Sequence, residues 1–427
     1  MAQTYKFGNG TWATKEGSTL AYNDENENYK PLPFNFERDS IATRVNKEGL
    51  IEVVGKDIPR IDYTDSAEGV LLLENSATNL LPYSEDFSQS SWVNFRSSIT
   101  SNDTISPNGS FNADNLVENS DTGTHALQER RYGLSSGSQY TYSFFAKASA
   151  VKQVGLLASN PSQGSIFDLE NGIVYGDFVS APNSSKIENF GNGWYRCSIT
   201  TTLNNTDSKF GIYLVKNGSE NYTGNGTDGL YIYGAMLEAN SFSTSYIPTS
   251  GSTVPRAAET ANGSGNSKVF NDSEGVLFAD VKGLVNGSTD RWIGINNGST
   301  SNRIIIALTG ANNKLRFYSE GSTTLSYSNI NILDHTMDNK IALVYSDSQD
   351  SVKIYANGFL SYNETSIPNF SGFKQLDFDN GGGVGNFHGK TKEIGYYDTT
   401  LTDEELEYMT SYRSLNELVT ELNLNTL

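Results

Sequence analysis

Cysteine is almost missing from this chain: Cys197 is the single one in 427 residues, which excludes an internal disulfide framework. Its setting, Gly193-Trp-Tyr-Arg-Cys-Ser-Ile, reads as a strand position turned into a core. Histidine is scarce too. His125, His335 and His388 are far apart, none has metal-ligand or catalytic-triad spacing, and each is read as structural. Long apolar runs are absent, and no stretch approaches the ~20 residues that a membrane-spanning helix needs. The opening Met1-Ala-Gln-Thr-Tyr-Lys-Phe has no apolar core of signal-peptide length, so a soluble product made in a cytosol is expected. Basic side chains are in deficit, 30 against 49 acidic ones for a net charge of −19. That balance argues against a broad electrostatic surface for nucleic acid or anionic lipid, so neither partner is expected and a neutral or weakly charged ligand fits better. Helical periodicity is nearly absent until the end of the chain.

What is present points to β-structure. There are 24 tyrosines, 21 phenylalanines and 40 glycines, and short apolar runs alternate with Asn, Ser, Thr, Asp and Gly clusters. A chain of this length calls for two or three domains. The expected architecture is all-β: a small N-terminal segment, two jelly-roll or concanavalin-like sandwiches in tandem, and a short C-terminal helix. Residues 1–78 form the first segment, with a hairpin between Ile41 to Val45 and Leu50 to Val54 turning at Asn46-Lys-Glu-Gly49, and with extended pieces at Pro59 to Tyr63 and Gly69 to Glu74. So small a core is expected to lean on a neighbour or on another chain.

Residues 79–257 read as a two-sheet jelly roll. Tyr140, Tyr142 and Phe144 share a face, as do Tyr195, Cys197 and Ile199, and Phe210, Ile212 and Leu214. In Gly229 to Glu238, alternation puts Leu230, Ile232 and Met236 on one side and Tyr231, Tyr233, Ala235 and Leu237 on the other, a strand covered on both faces. Its end and the Asn79 to Phe87 stretch should lie close together. A linker at 258–267 leads to a second sandwich at 268–400, in which Asn357-Gly358 marks a tight primed hairpin because both positions must take positive φ. In 401–427, Thr402 and Glu405 have capping-box spacing and predict a helix from about 402 to 412. Leu415, Leu418 and Leu422 then offer a stripe for packing on the sandwich or for a small oligomer seam.

For chemistry, the plentiful carboxylates carry no pattern of their own, although a glycosidase needs only two. Gly381-Gly-Gly is a loop and not a phosphate cradle, because no Lys-Ser/Thr follows. Sugar recognition requires aromatic faces beside amide, carboxylate or guanidinium groups. Trp92, Trp194, Tyr231 and Tyr233 in the second region, and Trp292, Tyr318, Asn386 and His388 in the third, are the candidates, each weighed against ordinary core packing.

Several of these stretches carry a family resemblance. Leu71-Leu-Leu-Glu, Thr78-Asn-Leu-Leu-Pro-Tyr-Ser-Glu-Asp-Phe, Trp92, Tyr233-Gly-Ala-Met-Leu-Glu, Ser243-Thr-Ser-Tyr-Ile-Pro-Thr-Ser-Gly and Pro255-Arg-Ala-Ala-Glu together resemble a carbohydrate-binding-like module of tailed-bacteriophage structural proteins. The Arg38 to Tyr63 segment looks like the companion of that module in tail and capsid appendages. Val352-Lys-Ile-Tyr-Ala-Asn-Gly and the ending from Gly385 resemble a laminin-G or concanavalin-A-like sandwich. The resemblance implies a non-enzymatic virion surface protein, a tail fibre or head fibre. It would be seated on other virion proteins by its N-terminal region, homo-oligomeric with a trimer as first choice, and bind host surface glycans. Calcium, a common accessory of both resembled folds, would take its oxygens from Glu85, Asp86, Asp377 and Asp379, but an EF-hand-like alternation of oxygen ligands is missing and solvated loop charge is the first reading of these carboxylates. A purely structural decoration protein and a polysaccharide depolymerase are the alternatives.

Overall fold

The computed structural model describes residues 34–412 apart from Ser288, with Ser414, Glu417 and Val419 beyond them. Before residue 34 it describes the strands Gln3–Lys6, Ala13–Lys15, Ser18–Asn23 and Asn28–Pro31. The leucines at 415, 418 and 422 lie outside the described residues. Among the described residues the sheets are antiparallel, and a helix spans Asp403–Thr410, where the N-cap Thr402 and Glu405 form the expected capping box. Among the described residues no helix is long and apolar enough to cross a membrane.

The chain divides into two units, and not along the boundaries that the sequence suggests. One takes the chain up to Asp39, Lys56–Asn75 and everything from Ala258; the other takes Ser40–Gly55 and Ser76–Ala257. Residues 1–78 are therefore not a module of their own. The reason is pairing. Arg60–Asp62 and Val70–Leu73 continue the larger sheet of the first unit by joining Gly389–Tyr397, while the hairpin Ala42–Val45/Ile51–Val54 belongs to the second unit. Nor is 258–267 a linker: Thr260–Asn262 pairs with Asn35–Glu37, and Ser264 bridges to Leu376.

The first unit is a sandwich of an eight-stranded and a five-stranded sheet. In the larger, Gly389–Tyr397 sits between Glu274–Gly283 on one side and Val70–Leu73 and Gln3–Lys6 on the other. The smaller runs in the order Thr324–Asn331, Lys314–Glu320, Arg303–Leu308, Arg291–Asn296, Gln375–Asp377. Ile304, Ile306, Leu315 and Phe317 meet Leu277, Leu343 and Ile354 between the layers. Asn357 and Gly358 take φ of 52° and 86°, so the predicted hairpin closes with Ala356 opposite Phe359. The helix then lays Leu406 on Val276, Phe278 and Tyr355, closing the outer side of the larger sheet.

Motif residues from four separate segments meet inside this unit. Arg38, Arg60 and Glu259 are wholly buried and Glu74 almost so. Arg38 Nη1 donates to Glu259 Oε1 at 2.7 Å, Arg60 Nε to the same oxygen at 2.8 Å, and Arg60 Nη2 to Glu74 Oε2 at 2.9 Å and to the other Glu259 oxygen. Two cations face two anions. Burial alone would depress the Arg60 pKa, but Glu259 and Glu74 outweigh it and raise the value, keeping the guanidinium charged. The motifs that carry the family resemblance thus serve, here, to knit distant segments together.

The second unit is a sandwich of two six-stranded sheets, as the jelly-roll reading expects. Phe144, Leu156, Phe167, Cys197, Phe210 and Ile212 lie in its core. Entry and exit do meet: Ala77–Asn79 pairs with Val254–Arg256, and buried Asn79 donates to Ala235 O at 3.0 Å and Ile247 O at 2.8 Å. The alternation in Gly229–Glu238 breaks at Gly234, which takes φ +61° within a bulge opposite Ser143 to Phe145. Leu230 and Ile232 share the sandwich core with Ala235 and Leu237, whereas Met236 joins Tyr233 on the opposite face. Strict alternation had assigned these pairs the other way round beyond residue 233. That second face is covered by Tyr246, Ile247 and Ile51, so the strand is buried on both sides as expected.

Candidate functional site: an aromatic and guanidinium face

Four of the eight predicted sugar-contacting residues lie in the second unit, and three of those four are core. Trp92 is 3% exposed and its indole donates to Tyr83 O at 3.0 Å; Trp194 is 2% exposed and donates to Ile105 O at 3.1 Å. Tyr233 is 1% exposed, and its hydroxyl donates to Glu85 Oε1 at 2.8 Å. None of these rings has a face to offer. Sandwiches bury tryptophan wherever its N–H finds a carbonyl, and here it does. Tyr231 is half-buried against the same cluster.

The predicted calcium ligands are also committed elsewhere. Glu85 accepts from the Tyr233 and Tyr246 hydroxyls, while Asp86 folds back on Ser88 and Gln89. Asp377 accepts from Gly263 N, Asn296 Nδ2 and Gln375 Nε2 at 2.6–2.8 Å. Asp379 accepts from Asn262 Nδ2 at 2.8 Å and Gly381 N at 2.5 Å. Burial pushes the Asp379 carboxyl above its ordinary value, with the Gly381 N–H opposing and Asp377 adding to the rise. Among the described residues no three acidic, histidine or cysteine side chains are placed to hold a metal ion. The donors these carboxylates already have do not fit calcium.

In the first unit, by contrast, the candidates converge. The outer side of the five-stranded sheet carries Trp292, Tyr318 and, on the adjoining loop, Asn386, which is bridged to Trp292. Register explains the convergence: Trp292 is opposite Ala307 and Ala307 opposite Arg316, while Ile305 is opposite Tyr318. Inner residues Ile293, Ile304, Ile306, Leu315 and Phe317 take the core, so the alternate positions Trp292, Arg303, Arg316, Tyr318 and Glu320 must face outward. Trp292 and Tyr318 meet edge to face with centroids 6.1 Å apart. The Arg316 guanidinium lies 5.6 Å from the Trp292 ring centroid, and that of Arg303 lies 4.6 Å from Tyr318. Arg316 is ion-paired with Asp290; Arg303 Nη2 donates to Glu320 Oε2 at 2.9 Å and Nη1 to Asn380 O at 2.7 Å. Trp292 and Tyr318 are half-buried, and the Trp292 indole N–H, unlike those of Trp92 and Trp194, has no acceptor among the described residues. Gly385, at φ +68°, rests against that indole: a Cβ there would come within 2.3 Å of the ring. His388 is half-buried near the end of the same loop.

Arg303, Arg316, Asp290 and Glu320 were not singled out from sequence. A signal was available in Lys314-Leu-Arg316-Phe-Tyr318-Ser-Glu320, whose polar and aromatic members fall on every second position.

One end of the site strand is anchored by a buried cation. Arg291 donates to Val285 O at 3.0 Å and Gly287 O at 2.9 Å, and lies 3.1 Å from His335 Nδ1. Burial brings its pKa down to about 10. His335 Nδ1 accepts the Gly287 N–H at 3.1 Å, while Nε2 lies 2.9 Å from Lys314 O and 3.2 Å from Lys314 N. Burial lowers the His335 pKa, as does Arg291, with Lys314 O and Asp334 opposing. Above the unfolded value of about 6.5 both states are neutral; below it the unfolded chain takes up a proton that the folded one refuses. Stability is expected to fall on acidification from that pH downward. Urea unfolding of wild type and His335→Gln at pH 7.5 and 5.5 should show a smaller pH loss in the variant; equal losses would remove His335 from the account.

No family model matches this chain, and no curated protein matches it. Solved structures similar to it include the CBM40 of Ruminococcus gnavus IT-sialidase bound to α2,3-sialyllactose, at 16% identity and TM-score 0.30 over 35% of this chain and 93% of that one. Domain 4 of AbnA, an extracellular arabinanase from Geobacillus stearothermophilus, in complex with arabinotriose, is similar at 16% identity and TM-score 0.30, over 40% of this chain and 83% of that one. A putative carbohydrate binding protein from Bacteroides ovatus is similar at 15% identity and TM-score 0.26, over 63% and 79%. Likenesses this slight carry no argument about what the chain does.

Proposed function

We propose that this chain is a non-enzymatic glycan-binding protein of a phage virion surface, serving adsorption to the host, and that sugar is taken on the outer face of the five-stranded sheet. The observation that carries the reading is Trp292, a half-buried indole with an unengaged N–H, set edge to face against Tyr318, with Arg316 over its own ring and Arg303 over that of Tyr318. Aromatic rings stack on the C–H faces of pyranoses while polar neighbours hydrogen-bond the hydroxyls, and both kinds of group are side by side here. The larger sheet of the same unit has its outer side closed by the helix. Catalysis is left out of the proposal because Asp290 and Glu320, the carboxylates on this face, are each held by an arginine. Their ordinary role is then to orient a guanidinium and not to deliver a proton. The virion setting rests on the motif resemblance alone.

A glycan array probed with the full chain should give binders, and titration calorimetry with the best of them should give a measurable affinity. Trp292→Ala is expected to weaken that affinity about 10- to 100-fold, as loss of a tryptophan hot spot does, with its circular dichroism unchanged. Full affinity in Trp292→Ala would move the site elsewhere, and an array without binders would end the reading.

A further inference from the structure

The charges on this face suggest what kind of sugar it takes. Building on the glycan-binding reading, we infer that the ligand is an uncharged, hydroxyl-rich glycan and that the paired carboxylates Asp290 and Glu320 are what exclude acidic ones. Both ring-stacked guanidinium groups are already matched: Arg316 by Asp290, Arg303 by Glu320 and by the Asn380 carbonyl. Lys314, also on this side of its strand, has its ammonium on Asn331 Oδ1. On the neighbouring strand Asp377 adds negative charge, held by the amides of Asn296 and Gln375. Among the described residues neither ring-stacked guanidinium is left over for a carboxylate or sulfate, and an acidic sugar at the rings would have to displace Asp290 or Glu320 or sit beside them.

The Trp292 N–H, with no acceptor among the described residues, can donate to a sugar hydroxyl, which brings no charge to the face. At long range the net charge of −19 repels anionic polymers as well.

The test is calorimetry with the full chain, using mannotriose and cellotriose as neutral probes and sialyllactose and trigalacturonate as acidic ones. The expected result is binding of at least one neutral probe, or of a neutral binder from the array, with a Kd that changes less than about twofold between 50 and 500 mM NaCl, because screening has little to act on. The acidic probes should bind at least about tenfold more weakly. Glu320→Gln, which keeps a side-chain oxygen to accept from the Tyr318 hydroxyl, frees Arg303 of its charged partner and should narrow that gap by about fivefold or more, a gain that no merely structural role of Glu320 would produce. Preference of the wild type for an acidic probe, or a tenfold loss of affinity with salt, overturns the inference while leaving glycan binding intact. Failure of every glycan to bind overturns both.

Discussion

Glu259→Gln is expected to lower the unfolding free energy by about 3–5 kcal/mol, the cost of removing one partner from a buried ion pair. The substitution keeps the size of the side chain and some of its hydrogen bonding but removes the negative charge that Arg38 and Arg60, both without solvent contact, share. Neither guanidinium can shed its proton at any usable pH, so the imbalance has no chemical escape. Glu74 keeps its 2.9 Å bond from Arg60, while the Glu74 backbone N–H loses the carboxylate acceptor that Glu259 offered at 2.8 Å. Urea denaturation of the full chain against wild type measures the effect. A change below about 1 kcal/mol, the range of exposed pairs, would mean that the cluster contributes nothing beyond a surface salt bridge.

Gly234→Val should cost about 2–5 kcal/mol, from the αL penalty for a residue with a Cβ and the overpacking of its surroundings. Gly234 has φ +61°, and a Cβ there would stand 2.9 Å from the buried Phe145 ring and 3.3 Å from Tyr246. The bulge is what lets one strand put Leu230 and Ile232 into the same core as Ala235 and Leu237. Removing it would turn half the strand over. Gly176→Val is the control: φ is ordinary, nothing lies within 4 Å of its Cβ position, and the expected change is within about 0.5 kcal/mol. Similar losses at both positions would count against the bulge as the cause.

That bulge also marks where sequence stops being informative. Period-two alternation gave the core faces of Phe210, Ile212 and Leu214, because nothing interrupts the ladder there. It failed past Gly234 because one extra residue inverts parity and no single glycine announces it. Ser97–Ile105 escaped notice for another reason: its nine residues include only Ile99 and Ile105 as apolar members, so a strand exposed along most of its length has no pattern to read. Local chemistry, such as Asn357-Gly358 and the Thr402 box, was legible since its partners are neighbours in the chain. The cluster of Arg38, Arg60, Glu74 and Glu259 was not, because it depends on which distant strands pair. The same holds for the site. Trp292, Tyr318 and Asn386 could be named one by one, but only the hairpin register places the first two on a single face with Arg303 and Arg316.

The passages of the chain between its two units, after residues 39, 55, 75 and 257, set a schedule for synthesis. The second unit has all of its strands once Ala257 has left the ribosome. The strand Val70–Leu73 must wait for Gly389–Tyr397, which begins 389 − 73 = 316 residues later. At about 5–20 residues per second that is a delay of roughly 15–60 s, during which Val-Leu-Leu-Leu has only the short strand Arg60–Asp62 to pair with. A nascent chain in that interval is a client for chaperones that hold apolar segments, and slow translation lengthens its exposure. Truncation has the matching consequence: a fragment beginning at residue 79 would fold its first unit, if at all, around a Glu259 that has lost both Arg38 and Arg60.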